Sequence, residues 1–389
     1  MEPEVNFLPS TQQVTYAIDA ESANKQKRTG VESYAFQLIQ AMKQQPLKQA
    51  ERVLLYSPTP LQGDLAQLPT GWESRVLLWK SKRGWMQGRV SWELFHQRPN
   101  LLFVPSQGLP RLLFGVPVVT TMHDIGFRRI GSLYDASVRH RIASVTKRSI
   151  KKAKLLLTVS AFTKQELKDV YHVRDENIRV TPLAADTSVY HRFEQQEIDV
   201  VLRKHRLGHT FFLSVGRLEK KKNPAMLIRA FELFKQHRGI GDPFELVLVG
   251  EPGFGYAQIK ELIDQSLQKE LIREVGFLSD NDVAALMNTA TAFCFPSWYE
   301  GFGIPLVEAL SCGAPLMVSD IPVHREVAGE AALYISPKEP EQWAKQMARL
   351  VDDSTVRDQL VERGNVQVQT YSWKKTAEET WEIFRSLVY

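Results

Sequence analysis

The chain has 389 residues, 43% apolar and 24% charged, a length too great for one hydrophobic core and a balance that fits a soluble globular protein of two or three domains. With no apolar run near the roughly 20 residues of a membrane span, no basic and apolar signal in MEPEVNFLPSTQQ, and only Cys294 and Cys312 as thiols, it is expected to be cytoplasmic, without a disulfide framework or a structural zinc site. The net charge of +5 is uneven: residues 1–190 carry 26 Lys plus Arg against 16 Asp plus Glu, while residues 191–389 carry 23 against 28.

Apolar, strand-like runs alternate with amphipathic helical stretches, the pattern of parallel sheets covered on both faces. Strands are predicted at 14–18, 52–56, 101–104, 117–122 and 154–160, with helices near 31–44, 134–152 and 162–170. A second strand series follows at 210–216, 244–250, 291–297, 314–319 and 331–336. Between the two, Thr181–Asp199 is polar and contains proline, which predicts a linker. The fold class is therefore α/β with two sheets, an N-terminal domain over 1–190 and a C-terminal domain over 191–370. The closing SWKKTAEETWEIFRSLVY is strongly helical, with Trp373, Ala377, Trp381, Phe384 and Leu387 on or near one face.

Several positions carry chemistry. Gly30 precedes the first helix, and His123 and Asp124 directly follow a buried strand, although a histidine at a strand end is by itself more often structural. RHRIASVTKRSIKKAK, Arg139–Lys154, holds much of the basic excess. Its face could be simply solvated, rest on anionic headgroups or hold an anionic acceptor. Ile142, Val145 and Ile150 are too sparse for a deep anchor, and no aromatic platform or zinc finger accompanies the run, which argues against nucleic acid.

In the second half, Gly216 and Arg217 come straight after a strand, and Lys220, Lys221 and Lys222 precede a helix opened by Asn223 and Pro224. A guanidinium and an ammonium delivered at a strand's carboxyl end suit a diphosphate. Three lysines in a row could also be solvated loop, and nearness to the helix favours Lys222. Asp280 and Asp282 form an Asp-x-Asp pattern, but they stand before a helical run, so capping and first-turn roles suit them better than metal binding. In YEGFGIPLVEALSCGAP, Tyr299–Pro315, two glutamates eight residues apart flank a glycine turn and the start of a short helix. Ligands of open α/β sheets bind at such loops, where helix-start amides attract anions. Either an anion site or a structural turn fits.

Taken together, VGRLEKKKNP, the block from VGFLSDNDV to HREVAGEAA, and YSWKKTAEETWEIF resemble the retaining glycosyltransferases of family 4, which have the GT-B fold, two Rossmann-like domains facing a central cleft. The family signature, a glutamate, seven residues and a second glutamate, falls on Glu300 and Glu308. The resemblance implies that Arg217 and Lys222 hold the nucleotide diphosphate and stabilise the leaving group, with the Gly30 and Gly216 turns beside it. It implies that Glu308 accepts hydrogen bonds from the ribose and that Glu300 and His123 contact the transferred sugar. Gly301 and the backbone from Phe302 through Gly303 and Ile304 to Leu306 would support sugar and phosphate oxygens, and the base would lie against Phe277 and Leu278. Ser160, Phe162 and Lys164 match an element near the cleft, and residues 371–389 would cross back to the N-terminal domain.

The implied reaction is retaining transfer of a hexose, of mannose, glucose or rhamnose type, from a nucleoside diphosphate sugar such as GDP-mannose or UDP-glucose. The acceptor would be a hydroxyl on a glycan or lipid-linked glycan in bacterial surface polysaccharide assembly. No metal or other cofactor is implied, and the basic 139–154 segment would make peripheral contact with the inner face of a membrane. A nucleotide-sugar epimerase of the same fold and a catalytically silent nucleotide-binding scaffold are the alternatives.

Overall fold

The computed structural model describes residues 13–81, 84–239 and 241–389. Residues 1–12, most of the segment read for a signal sequence, lie outside them. The first sheet contains β1 (Val14–Asp19), β2 (Glu51–Ser57), β3 (Trp72–Val76), β4 (Leu101–Val104), β5 (Val118–Met122), β6 (Leu155–Thr158) and β7 (Ile178–Val180). The second contains β8 (Phe211–Val215), β9 (Glu245–Val249), β10 (Ile272–Gly276), β11 (Ala292–Phe295), β12 (Leu316–Ser319) and β13 (Ala332–Ile335). Their orders are β3-β2-β1-β4-β5-β6-β7 and β10-β9-β8-β11-β12-β13, with every pairing parallel. This is the α/β architecture of two parallel sheets that the alternation predicted, and it agrees with the two Rossmann-like domains that the resemblance implies. Each sheet has a switch point at its centre, between β1 and β4 and between β8 and β11, where the strand order reverses.

Strand side chains alternate between faces, and the cores follow that period. Tyr16, Ile18, Val53, Leu55, Phe103 and Leu157 lie on one face, under helix Gly30–Lys43 and the last helix, Trp373–Val388. Ala17, Leu54, Tyr56, Leu102 and Val104 lie on the other, under Trp85, Val90 and Leu94. Helices Ala136–Lys152 and Ala161–Tyr171 continue that second layer through Ile142, Ile150 and Leu167, over Met122, Leu156 and Ile178.

Three strands do not announce themselves in the sequence: β3, β7 and β10. All three are sheet edges. An edge strand is covered on fewer sides, so its residues need not form an apolar run; Glu73, Ser74 and Val76 of β3 are exposed. The short helix Ser91–His96 is also absent from the predicted elements.

The passage read as a linker is packed. Leu183, Ala184, Ala185 and Tyr190 are buried, and helix Gln195–His205 begins inside it. The last helix returns to the first sheet. Trp381 meets Tyr16 edge-on at 5.3 Å and donates its indole N–H to the Met42 carbonyl at 3.3 Å. Arg385 grips the buried Glu51 carboxylate with two hydrogen bonds, 3.0 and 2.9 Å.

Candidate active site

Because β8 and β11 are neighbours, the loops leaving their carboxyl ends lie side by side, joined by the Trp298 N–H donating to the Lys221 carbonyl at 2.9 Å. Gly216 turns the first loop with φ of 144°, a conformation that favours glycine. The three lysines that follow part company. Lys220 lies over the Phe254 ring at 5.7 Å. Lys221 points across to the N-terminal half, 3.6 Å from Asp124, and Lys222 meets Glu300 at 2.7 Å. The Lys221 and Lys222 side chains are only 13% and 21% exposed, so neither is solvated loop.

Glu300 is therefore a buried anion held between two half-buried cations. Burial alone would raise its pKa, but Lys222 and then Lys221 override that and hold it down at about 2. At neutral pH it can accept hydrogen bonds and has no proton to give. Lys221 is the mirror case: burial works against its charge, and Asp124, Glu300 and Tyr134 outweigh burial and hold its pKa well above the ordinary lysine value.

Helix Ile304–Cys312 starts at Gly303, φ 93°, and ends at Gly313, φ 70°, the left-handed cap expected there. One detail narrows the sequence reading. The Leu306 amide already donates to the Gly303 carbonyl at 2.9 Å and Pro305 has none, so the expected backbone donors narrow to Phe302, Gly303 and Ile304. Phe302 and Leu306 bury their side chains, at 4% and 0% exposure, so of the two only the Phe302 backbone is left for a ligand. Glu308 sits one turn into the helix, half-buried. Burial first, then Asp280 and Asp186, push its carboxyl up to about 8. The two glutamates of one motif thus sit at opposite ends of the carboxylate range.

Gly301 has its reason to be glycine in the opposite half. A Cβ there would lie 1.7 Å from the His123 carbonyl oxygen, so its bareness admits the opposite domain. The same carbonyl-to-loop approach is reinforced at the next element. Ser160 and Thr163 donate hydroxyl hydrogen bonds to the Gly301 carbonyl at 2.5 and 3.0 Å. The Glu326 carboxylate accepts from the Ala161 and Phe162 amides at 2.7 and 2.8 Å, capping a helix of the other half. Phe162 packs on Tyr299 with centroids 5.4 Å apart. Lys164 takes no part, since it pairs with Asp175 on its own half at 2.9 Å.

His123 is half-buried at the first sheet's mouth, edge-on to Tyr34 at 4.8 Å, with Nε2 2.8 Å from the Pro105 carbonyl. A carbonyl only accepts, so Nε2 carries the proton and Nδ1 is the acceptor. Burial lowers the ring's pKa and keeps it neutral. Arg217 is exposed, its stem lying against Gly253. Gly30 opens its helix with open space where a Cβ would stand. Leu278 is buried, while Phe277 is 50% exposed with Lys27 of the N-terminal half 5.2 Å over its ring. Asp282 is taken by Lys204 at 2.6 Å and His205 at 3.0 Å, so it is not half of a free carboxylate pair. Among the described residues no three His, Cys, Asp or Glu side chains are grouped to hold a metal ion.

Residues 197–367 match the family described as Glycosyl transferases group 1, and residues 28–189 match Glycosyltransferase Family 4. The chain belongs to these group 1, family 4 glycosyltransferases. It is 28% identical over 300 residues to O-antigen chain mannosyltransferase B of Escherichia coli, spanning 77% of each chain. It is 32% identical over 200 residues to O-antigen chain mannosyltransferase RfbU of Salmonella typhimurium, 51% of each. Its fold is similar to that of Anabaena HepE solved with UDP-glucose, with a TM-score of 0.72 at 16% identity over 96% of this chain and all of that one.

Sequence reasoning did not find every group that this glycosyltransferase brings to the cleft. Asp124 stood beside the histidine without a role, Lys221 was read with its neighbours, and Asp186 lay inside the supposed linker. Each acts across the domain boundary, and only the fold brings it to its partner.

Proposed function

We propose that the protein transfers a hexose, mannose first, from a nucleoside diphosphate sugar to a hydroxyl of a growing cell-surface polysaccharide or its lipid-linked precursor, with retention at the anomeric carbon and without a metal. Mannose, and with it a GDP donor, is favoured by the names of the two O-antigen relatives; UDP-glucose is the competing donor, as in the HepE complex. The observation that carries the donor site is the pairing of Lys222 with the buried Glu300 at the mouth of helix Ile304–Cys312, with Glu308 one turn further in.

In this reading Lys222 and the exposed Arg217 engage the diphosphate, whose bridging oxygen gains negative charge as the sugar leaves. Cations and helix-start amides that bind this charge better in the transition state lower the barrier. Glu300, held ionised, accepts a hydrogen bond from a sugar hydroxyl, and His123 offers Nδ1 to another. Glu308 accepts from the ribose, which favours its charged form, and the base lies between Phe277 and the Leu278 backbone. The Gly30 and Gly216 turns flank the phosphates. An epimerase would need a proton donor at the sugar, and Glu300 has none to offer.

In this reading the acceptor side faces a membrane, where the basic 139–154 segment would meet anionic headgroups. The reaction is tested by incubating the protein with GDP-mannose, UDP-glucose and a lipid-linked glycan acceptor in EDTA and reading the product's anomeric proton by NMR. An α-glycoside from an α-linked donor is expected. An inverted linkage, a free epimer or strict need for a divalent ion would overturn the reading.

A further inference from the structure

The layer on the first sheet's face away from the last helix has an unusual surface. It consists of helix Ser91–His96, the loop 105–116 and helix Ala136–Lys152, and hydrogen bonds stitch them into one face. The Leu112 amide donates to Ser91 Oγ at 3.1 Å, Ser149 Oγ donates to the Gln107 carbonyl, and Lys152 Nζ donates to the Arg111 carbonyl at 2.5 Å. Phe95 and Phe114 stack at a tilt, 5.1 Å between centroids.

From this face Trp92, Phe95 and Leu112 stand 62%, 52% and 54% exposed. Their neighbours Val90, Leu94 and Leu109 are buried beneath them, so the helix turns apolar side chains both inward and outward. Alongside, Arg141, Lys147, Arg148, Lys151 and Lys152 are exposed. No residue from 136 to 165 is Asp or Glu. The carboxylate of Glu93 is buried and committed to Arg75 at 2.6 Å and Arg89 at 2.8 Å. The layer therefore supplies no counter-charge to its own cations.

We propose that this layer is a bilayer-docking surface, on which the cations meet the phosphates of anionic lipids while Trp92, Phe95 and Leu112 enter the boundary between headgroups and acyl chains. Water suits the cations and leaves the aromatics stranded, and an apolar protein partner would desolvate the cations. The headgroup region of an anionic bilayer accommodates both at once, with amphipathic rings at the boundary and lysine stems reaching outward. The inference rests on the membrane part of the function proposed above and supplies the apolar half that the basic segment lacks.

The test is co-sedimentation of the full chain with phosphatidylglycerol-rich vesicles at low and high salt, with phosphatidylcholine vesicles as control. Two paired variants are compared with wild type, Trp92→Ala with Phe95→Ala and Lys151→Glu with Lys152→Glu. Salt-sensitive binding to the anionic vesicles is expected. Loss of two cations should weaken it roughly 30-fold or more, at about one fivefold step per charge. Brominated acyl chains should quench fluorescence in wild type and less in Trp92→Phe, which still binds. Titration of each variant with GDP and UDP separates the two readings, because nucleotide affinity should be unchanged. Binding that ignores both pairs, no binding at low salt, or binding to heparin or single-stranded DNA with none to vesicles would overturn the proposal.

Discussion

Lys221 Nζ lies 3.6 Å from Asp124 Oδ2, an ion pair between a loop of the second sheet and the mouth of the first. The same ammonium is 5.9 Å from the Tyr134 ring centroid and raises no charge conflict with Glu300, whose carboxyl it helps to keep ionised. The pair is an ion-pair latch between the halves, and its lysine helps hold Glu300 ionised.

Lys221→Met should break both functions. It strands Asp124, and breaking a largely buried pair costs about 3–5 kcal/mol. The expected outcome is a lowered denaturation midpoint, a larger radius of gyration by X-ray scattering and reduced kcat, with Lys221→Arg recovering the scattering profile. An unchanged profile for Lys221→Met would show that the contact does not hold the halves together.

Gly301→Ala isolates closure from folding. Its Cβ would sit 1.7 Å from the His123 carbonyl oxygen, an overlap that only separation of the halves relieves. The variant should bind nucleotide through the second sheet's loops and lose turnover on the order of 100-fold or more, since misplacement by about 1 Å has that effect. Near-normal kcat would mean that the halves need not meet at this point.

Glu308 links activity to stability through pH. Its carboxyl is up at about 8 in the folded protein against 4.5 when free, so the folded state holds a proton that the unfolded state releases as pH rises above 4.5. Stability from this group is complete below pH 4.5 and is lost as pH rises through 8. Glu308→Gln should therefore match wild type near pH 4.5 and exceed it in melting temperature at pH 8 and above. The same change should weaken nucleotide binding about 10- to 100-fold, the loss of hydrogen bonds to a charged group. A variant destabilised at pH 8 would contradict the burial of this carboxyl.

Trp381 anchors the last helix against Tyr16 and Trp72 of the first sheet, with Phe384 of the same helix packed beside it. Trp381→Ala should cost about 3–5 kcal/mol, read as a drop in the denaturant midpoint of the first sheet's unit. A loss under about 1 kcal/mol would mean that the helix docks without it.

What could be read in the sequence was whatever is local. Strands buried on both faces are continuous apolar runs, so β1, β4, β5 and β12 were plain, whereas the edge strands β3, β7 and β10 were not. The loops after β8 and β11 could be read because Gly216, Gly303, Pro305 and Gly313 fix their own turns within a few residues. Cross-cleft relations carry no such local signal: nothing near Gly301 in the sequence shows that the His123 carbonyl lies against it. Trp92 and Phe95 sit in a helix of six residues, too short for its period to show, and their cationic neighbours arrive from a segment some fifty residues away.

The central claim, a donor site built from Lys222, Arg217, Glu300 and Glu308 that works without a metal, is tested most directly by calorimetric titration with GDP, UDP, GDP-mannose and UDP-glucose, with and without EDTA. Wild type, Lys222→Ala and Glu308→Gln are compared. The account predicts selective binding of one nucleotide and its sugar, unchanged by EDTA and weakened in both variants. Binding abolished by EDTA, or equal in wild type and both variants, would contradict it.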